Sequence, residues 1–195
     1  MTKYNSIFGF IMLVLLLSSC GGNELMIPKP PTYLRSEFPA HTYSPIPAGN
    51  PYSFELADAY ICKPVLFKGT VTNHQEILLG KLNGVLYINY YPLPNRDSLI
   101  RYINLSNDKV DEHQVKAEKI NDFTISHPKN NVYGTFFELT GNVATNFQFY
   151  LTDSTSHFLR GELLMNCAPN YDSLRPSLDY IKQDLYHLFE TMEWK

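Results

Sequence analysis

The chain has 195 residues, a formal net charge of −3, and 44% hydrophobic against 18% charged residues. Those values fit one ordinary domain with a sizeable core, and they exclude a general electrostatic attraction to nucleic acid or anionic lipid. No block of five like charges occurs, so a charged tail is excluded as well.

At the N-terminus, Ile7 to Leu17 form eleven residues of nearly unbroken apolar sequence behind Lys3. That is signal-peptide length, and it falls short of the roughly 20 apolar residues a transmembrane helix needs. It runs into Leu17-Ser18-Ser19-Cys20, a branched apolar residue, two small ones and a cysteine. The string has the form of a bacterial lipoprotein box. The expectation is that residues 1–19 are a signal peptide, cut off before Cys20, and that Cys20 carries a diacylglycerol on sulfur and further acyl groups such as palmitate. The mature chain would then keep 176 residues with fifteen basic and nineteen acidic side chains, a net of −4. Two or more acyl chains hold a protein on a membrane stably where one does not. Cys62 and Cys167 are then left over. They can pair in an oxidising periplasm, closing a loop of about a hundred residues worth ~4 kcal/mol, or stay as two thiols. The sequence leaves both open.

Residues 20–51 read as a lipidated, proline-rich tether, with seven of the thirteen prolines between Asn23 and Pro51. Proline fixes φ and donates no ladder hydrogen bond, which predicts an extended segment. Tyr33, Leu34, Phe38 and Tyr43 would be wasted on a solvated linker, so its second half is expected against the body. Residues 52–195 are expected to form a single α+β domain. Strands are predicted at Tyr52–Leu56, Tyr60–Phe67 (an edge, because of Pro64) and Val85–Tyr91. The pattern between Asn73 and Leu82 is mixed. A helix with Leu99, Ile100 and Ile103 on one face follows Asp97 or Ser98 as cap, and a second helical stretch is predicted through Val115 to Ile120. Phe123–Ser126, Val132–Leu139, Phe147–Leu151 and His157–Met165 read as four successive strands. The last element is an amphipathic helix capped by Asp172 or Ser173, with Leu174, Leu178, Ile181, Leu185, Leu188, Phe189 and Met192 on one face. Such a helix needs a sheet to cover, so the fold class is α+β: a mainly antiparallel sheet with helices packed on it.

The chemistry is sparse. Six histidines are scattered without i,i+4 pairing or a Cys/His cluster, so neither a metal nor a cofactor is expected. Asp153-Ser154-Thr155-Ser156-His157 gathers Ser, His and Asp, but no nucleophile elbow is present and a polar hairpin turn accounts for the string. Arg160, among apolar neighbours, either snorkels from the outer face, the default, or pairs with a buried acid. Asp153, Ser154, His157 and Arg160 together make a candidate docking patch, with a turn or a structural bond as the plainer reading of each. No residue is assigned a catalytic role.

One resemblance is specific. Val132-Tyr133-Gly134, Thr140-Gly141-Asn142-Val143-Ala144 and the run Gln148 to Gly161, with Thr152-Asp153-Ser154-Thr155-Ser156-His157-Phe158-Leu159-Arg160-Gly161 at its heart, resemble the gliding-motility lipoprotein GldD family of the Bacteroidetes. So do Pro169 to Pro176, His187 to Trp194 and, upstream, Pro28-Lys29-Pro30 with Tyr33-Leu34-Arg35. Ile61 to Asn83 and Cys167 depart from that pattern. The resemblance implies a lipid-anchored, non-enzymatic accessory protein of gliding and type IX secretion, facing the periplasm and partnered by other envelope proteins. At fold level it suggests a PsbP-like sandwich by analogy. The alternative is a periplasmic small-ligand-binding protein or hydrolase with an aromatic groove between helix and sheet.

Overall fold

The computed structural model describes residues 37–195. Seven strands form one antiparallel sheet: β4 (Ile61–Phe67), β5 (Thr70–Leu78), β6 (Gly84–Pro92), β10 (His157–Met165), β9 (Phe147–Thr152), β8 (Val132–Gly141) and β7 (Ala117–His127), in that spatial order. Two short ribbons flank it. Tyr43–Pro45 (β1) pairs with Glu55–Ala57 (β3), and Tyr52–Ser53 (β2) pairs with Glu193–Trp194 (β11). Helix α1 (Arg96–Asp111) follows β6, and helix α2 (Tyr171–Thr191) follows β10. The α+β, mainly antiparallel layout expected from the sequence is therefore present.

The two helices lie on opposite faces of the sheet, and strand alternation decides which residues each meets. On β10, Leu159, Leu163 and Met165 turn to α2, where Leu178, Ile181, Leu185, Leu188 and Phe189 are buried. Phe189 touches both Phe136 and Phe149, with ring centroids 5.6 and 4.8 Å apart. Each fully buried side chain of this kind contributes about 1.5–3 kcal/mol. Gly161 sits opposite Phe149 in the register, and a Cβ there would lie 2.1 Å from the Phe149 ring. Its missing side chain is what lets the ring lie across the strand. The other face is smaller. Val110 of α1 packs with Phe137, Leu139 and Val143, and Tyr102 stacks on Tyr91 and Phe158.

Several local expectations are corrected. The helix caps are Asn95 and Asn170, whose side chains accept from Ser98 N and Ser173 N. Pro176 accordingly falls in the second turn of α2, and the helix continues through it. No helix forms through Val115 to Ile120; from Ala117 the chain is β7, paired along its length with β8. The buried face of α1 is Ser98, Ser106 and Val110, while Ile100 and Leu105 are exposed. Both serines are buried with their hydroxyls satisfied, Ser98 donating to Asn95 Oδ1 and Ser106 to the Tyr102 carbonyl, which the apolar periodicity did not reveal. The mixed stretch before Leu82 is mostly strand β5. Cys62 and Cys167 are both free thiols, with Cys62 donating to Gln75 Oε1.

Candidate functional site

The Asp153 turn is built by its own side chain. Asp153 Oδ1 accepts from the backbone N–H of Thr155, Ser156 and His157 at 2.8–2.9 Å, and Oδ2 accepts from the Thr155 hydroxyl at 2.6 Å. Partial burial opposes ionisation, but these donors outweigh it and hold the carboxyl below its ordinary value. Ser154 takes a left-handed φ of 66° and donates its N–H to Thr152 Oγ1. This is turn chemistry: both carboxylate oxygens are taken up as acceptors within the turn, and the same donors that lower its pKa make Asp153 a weaker base.

His157 and Arg160 do not share a surface. The His157 ring faces the α2 side, with Nδ1 2.8 Å from the Tyr90 hydroxyl and the ring stacked on Trp194. Arg160 faces the α1 side with Phe158 and Tyr91. Only 12% of its side chain is exposed, and its guanidinium donates to Gln148 Oε1 at 2.7 Å and pairs with Glu162 at 2.9 Å. Snorkelling is thus corrected to a largely buried guanidinium held by Gln148 and by the partly exposed Glu162. Of the four expected patch residues, the structure brings Asp153, Ser154 and His157 to one turn and places the Arg160 side chain on the opposite face.

A cluster not anticipated from the sequence lies on α2. Asp184 is buried among apolar neighbours and receives three groups from the N-terminal part of the described chain. His41 Nδ1 lies 2.7 Å from Oδ1, the Tyr43 hydroxyl donates to Oδ1 at 2.9 Å, and the Tyr60 hydroxyl donates to Oδ2. Burial, then the hydrogen bond to Asp184 and its negative charge, push both tyrosines far above their ordinary range. Rings extend the contact along the helix. Phe38 stacks on Tyr180 at 4.8 Å, Tyr180 on His41 at 4.3 Å, and Tyr43 on His187 at 3.6 Å. His187 in turn reaches Glu55 at 2.7 Å. Tyr180, Asp184 and His187 are spaced i, i+4, i+7, one helix face, and an acid within an apolar stripe was the available signal. The arrangement is a latch that holds residues 38–43 to α2. No buried side-chain polar atom lacks a partner among the described residues.

Beside the latch, Phe38, Tyr60, Leu79 and Leu82 line an open cleft of about 590 Å³ together with Lys81 and Ser177. Among the described residues, no group of three His, Cys, Asp or Glu side chains is placed to hold a metal ion. No described helix is long and apolar enough to cross a membrane.

The profile of a family described as gliding motility lipoprotein GldD matches residues 23–194. The chain belongs to that family. Membership makes it an envelope-associated lipoprotein with an accessory role in gliding motility. No curated protein matches the chain. Among solved structures, it is similar to cyanobacterial PsbP (CyanoP) from Synechocystis sp. PCC 6803. The identity is 12% and the TM-score 0.47, over 92% of this chain and 99% of that one.

Proposed function

We propose that this GldD-family protein is anchored by acyl groups on Cys20 and faces the periplasm. There it serves gliding and type IX secretion by docking other envelope proteins through its folded body, without catalysis of its own. The observation that carries the proposal is the family match over residues 23–194, which begins three residues past the lipobox cysteine. The latch supports it mechanically. With Phe38, His41 and Tyr43 clamped to α2, a pull on the N-terminal side reaches the core at residue 38 and not at the expected domain boundary near 52. The turn held by the partly buried Asp153, with Ser154 exposed at its end, is the first part of the body to test as the protein contact, with the largely buried Arg160 acting as a support within the sheet. The test is crosslinking and pull-down from membranes with the native chain and with Cys20→Ser. Partners captured by the native chain and lost with the lipid support the reading; equal capture by both contradicts it.

The cleft beside Tyr60 favours a second reading, binding of a small apolar ligand. Lipid extracted with the purified protein and displaced by Leu82→Trp, a partly exposed cleft position, would support that reading over docking.

A further inference from the structure

We propose that the tip of the β4–β5 hairpin is a membrane-contact element that settles into the headgroup region of an anionic bilayer. β5 pairs with β6 only from Gln75 to Leu78, whereas it pairs with β4 back to Thr70. The hairpin therefore continues past the sheet as a two-stranded arm. Its end is apolar where water should favour polar residues: Leu66, Phe67 and Val71 are 62%, 66% and 64% exposed. Leu66 and Val71 are cross-strand partners, so their side chains form one exposed apolar pair.

The charge pattern says what covers this end. Lys63 at the base of the hairpin faces Glu76 across the strands, but the projecting part, residues 65–75, carries one lysine and no acid in a chain whose net charge is −3. The attraction is therefore local to the arm. Lys68 occupies the first position of a two-residue turn with Gly69, at φ 48° and 81°. That turn ordinarily takes Asn-Gly or Asp-Gly, and here it presents a cation at the extreme tip. The Lys68 ammonium lies 5.5 Å from the centre of the Phe67 ring. An apolar tip carrying a cation suits the interface of a bilayer carrying anionic lipid, where Leu66, Phe67 and Val71 reach the acyl boundary and Lys68 meets phosphate. The proposal rests on the anchored reading for bringing a bilayer within reach. Sixteen residues separate Cys20 from Glu37, a reach of at most ~60 Å. Glu37 and Phe38 line the cleft with Tyr60 and Leu79, which adjoin the base of the same hairpin. The arm is one strand length from that point.

The experiment uses the unacylated mature chain, residues 20–195 with Cys20→Ser, which keeps the whole described core. It is sedimented with vesicles of phosphatidylcholine with and without phosphatidylglycerol. Binding is expected on the anionic vesicles, weakened about tenfold by Phe67→Ser with Leu66→Ser, both outside the core. Lys68→Glu, which removes no apolar surface, is expected to weaken it at least fivefold. In the acylated chain on the same vesicles, Phe67→Trp should be quenched by brominated lipid. Absence of binding to anionic vesicles, or binding that survives both variants, overturns the proposal. So does loss of a crosslinked envelope protein in the variants with vesicle binding unchanged, since the tip is then a protein contact. The unacylated chain separates the two readings: failure here leaves acylation of Cys20 standing, and failure to acylate Cys20 leaves this binding standing.

Discussion

His41 Nδ1 lies 2.7 Å from Asp184 Oδ1, tying a segment near the start of the described chain to its C-terminal helix. The same carboxyl group takes the hydroxyls of Tyr43 and Tyr60, so three donors converge on one buried acid. Removing the acceptor strands all three. Asp184→Ala is expected to lower the unfolding free energy by ~2–4 kcal/mol. Limited proteolysis should then cut between residues 37 and 47 in the variant before it cuts the body. An unchanged urea midpoint would show that the latch contributes nothing to the fold.

Gly161 carries a second packing prediction. Because a Cβ would meet the Phe149 ring at 2.1 Å, Gly161→Ala forces the ring out of a fully buried position. The expected cost is ~1–3 kcal/mol. Combining it with Phe149→Leu should give less than the sum of the two single losses, because the collision is then gone. Additive losses would mean that the two residues do not interact.

Stability should fall as pH drops below neutrality. Burial holds the imidazoles of His74 and His113 below their ordinary 6.5, and His74 Nδ1 accepts the backbone N–H of Tyr90, which a protonated Nδ1 cannot do. The unfolded chain therefore takes up these protons first. The stabilisation is fully present above pH 6.5 and is lost as pH falls through the depressed folded values. Thermal melts from pH 7.5 to 5 should show the decline, flattened in His74→Gln. A melt independent of pH over that range contradicts the assignment.

Asp153 acts in a lower window. Its carboxyl is held below the ordinary 3.8 by the turn's donors, which outweigh its partial burial. Its contribution is present above that value and vanishes as pH falls through the folded one. The gap in melting temperature between wild type and Asp153→Ala should therefore start to narrow once pH falls below 3.8. A gap constant from pH 6 to 3 would place the stabilisation elsewhere.

The parts of the fold legible in the sequence are those whose pattern is set locally. β10 was readable from His157 to Met165 because one face is apolar to the end, and α2 because its stripe is long. The strand expected at Phe123–Ser126 is the second half of β7, but Thr70–His74 of β5 and Ala117–Asp122 of β7 were not legible, since both are largely polar and each pairs with a single neighbouring strand. α1 misled in the other direction, as its apolar side chains are in part exposed and its serines buried. The Asp153 turn was legible because Asp and Ser bond their own backbone. The latch was not: Asp184 looks like an error in an apolar face until His41 and Tyr43 arrive from more than 140 residues away. Arg160 needed Gln148 and Glu162 placed beside it before its charge had a destination.

The central claim is that Cys20 fixes this body to a membrane. Its most direct test is incorporation of an alkyne palmitate in cells, followed by mass spectrometry of the mature N-terminal peptide. The expected result is a mature chain beginning at acylated Cys20, with label absent from Cys20→Ser. An unlabelled chain released in soluble form, or equal label in both, would contradict the account.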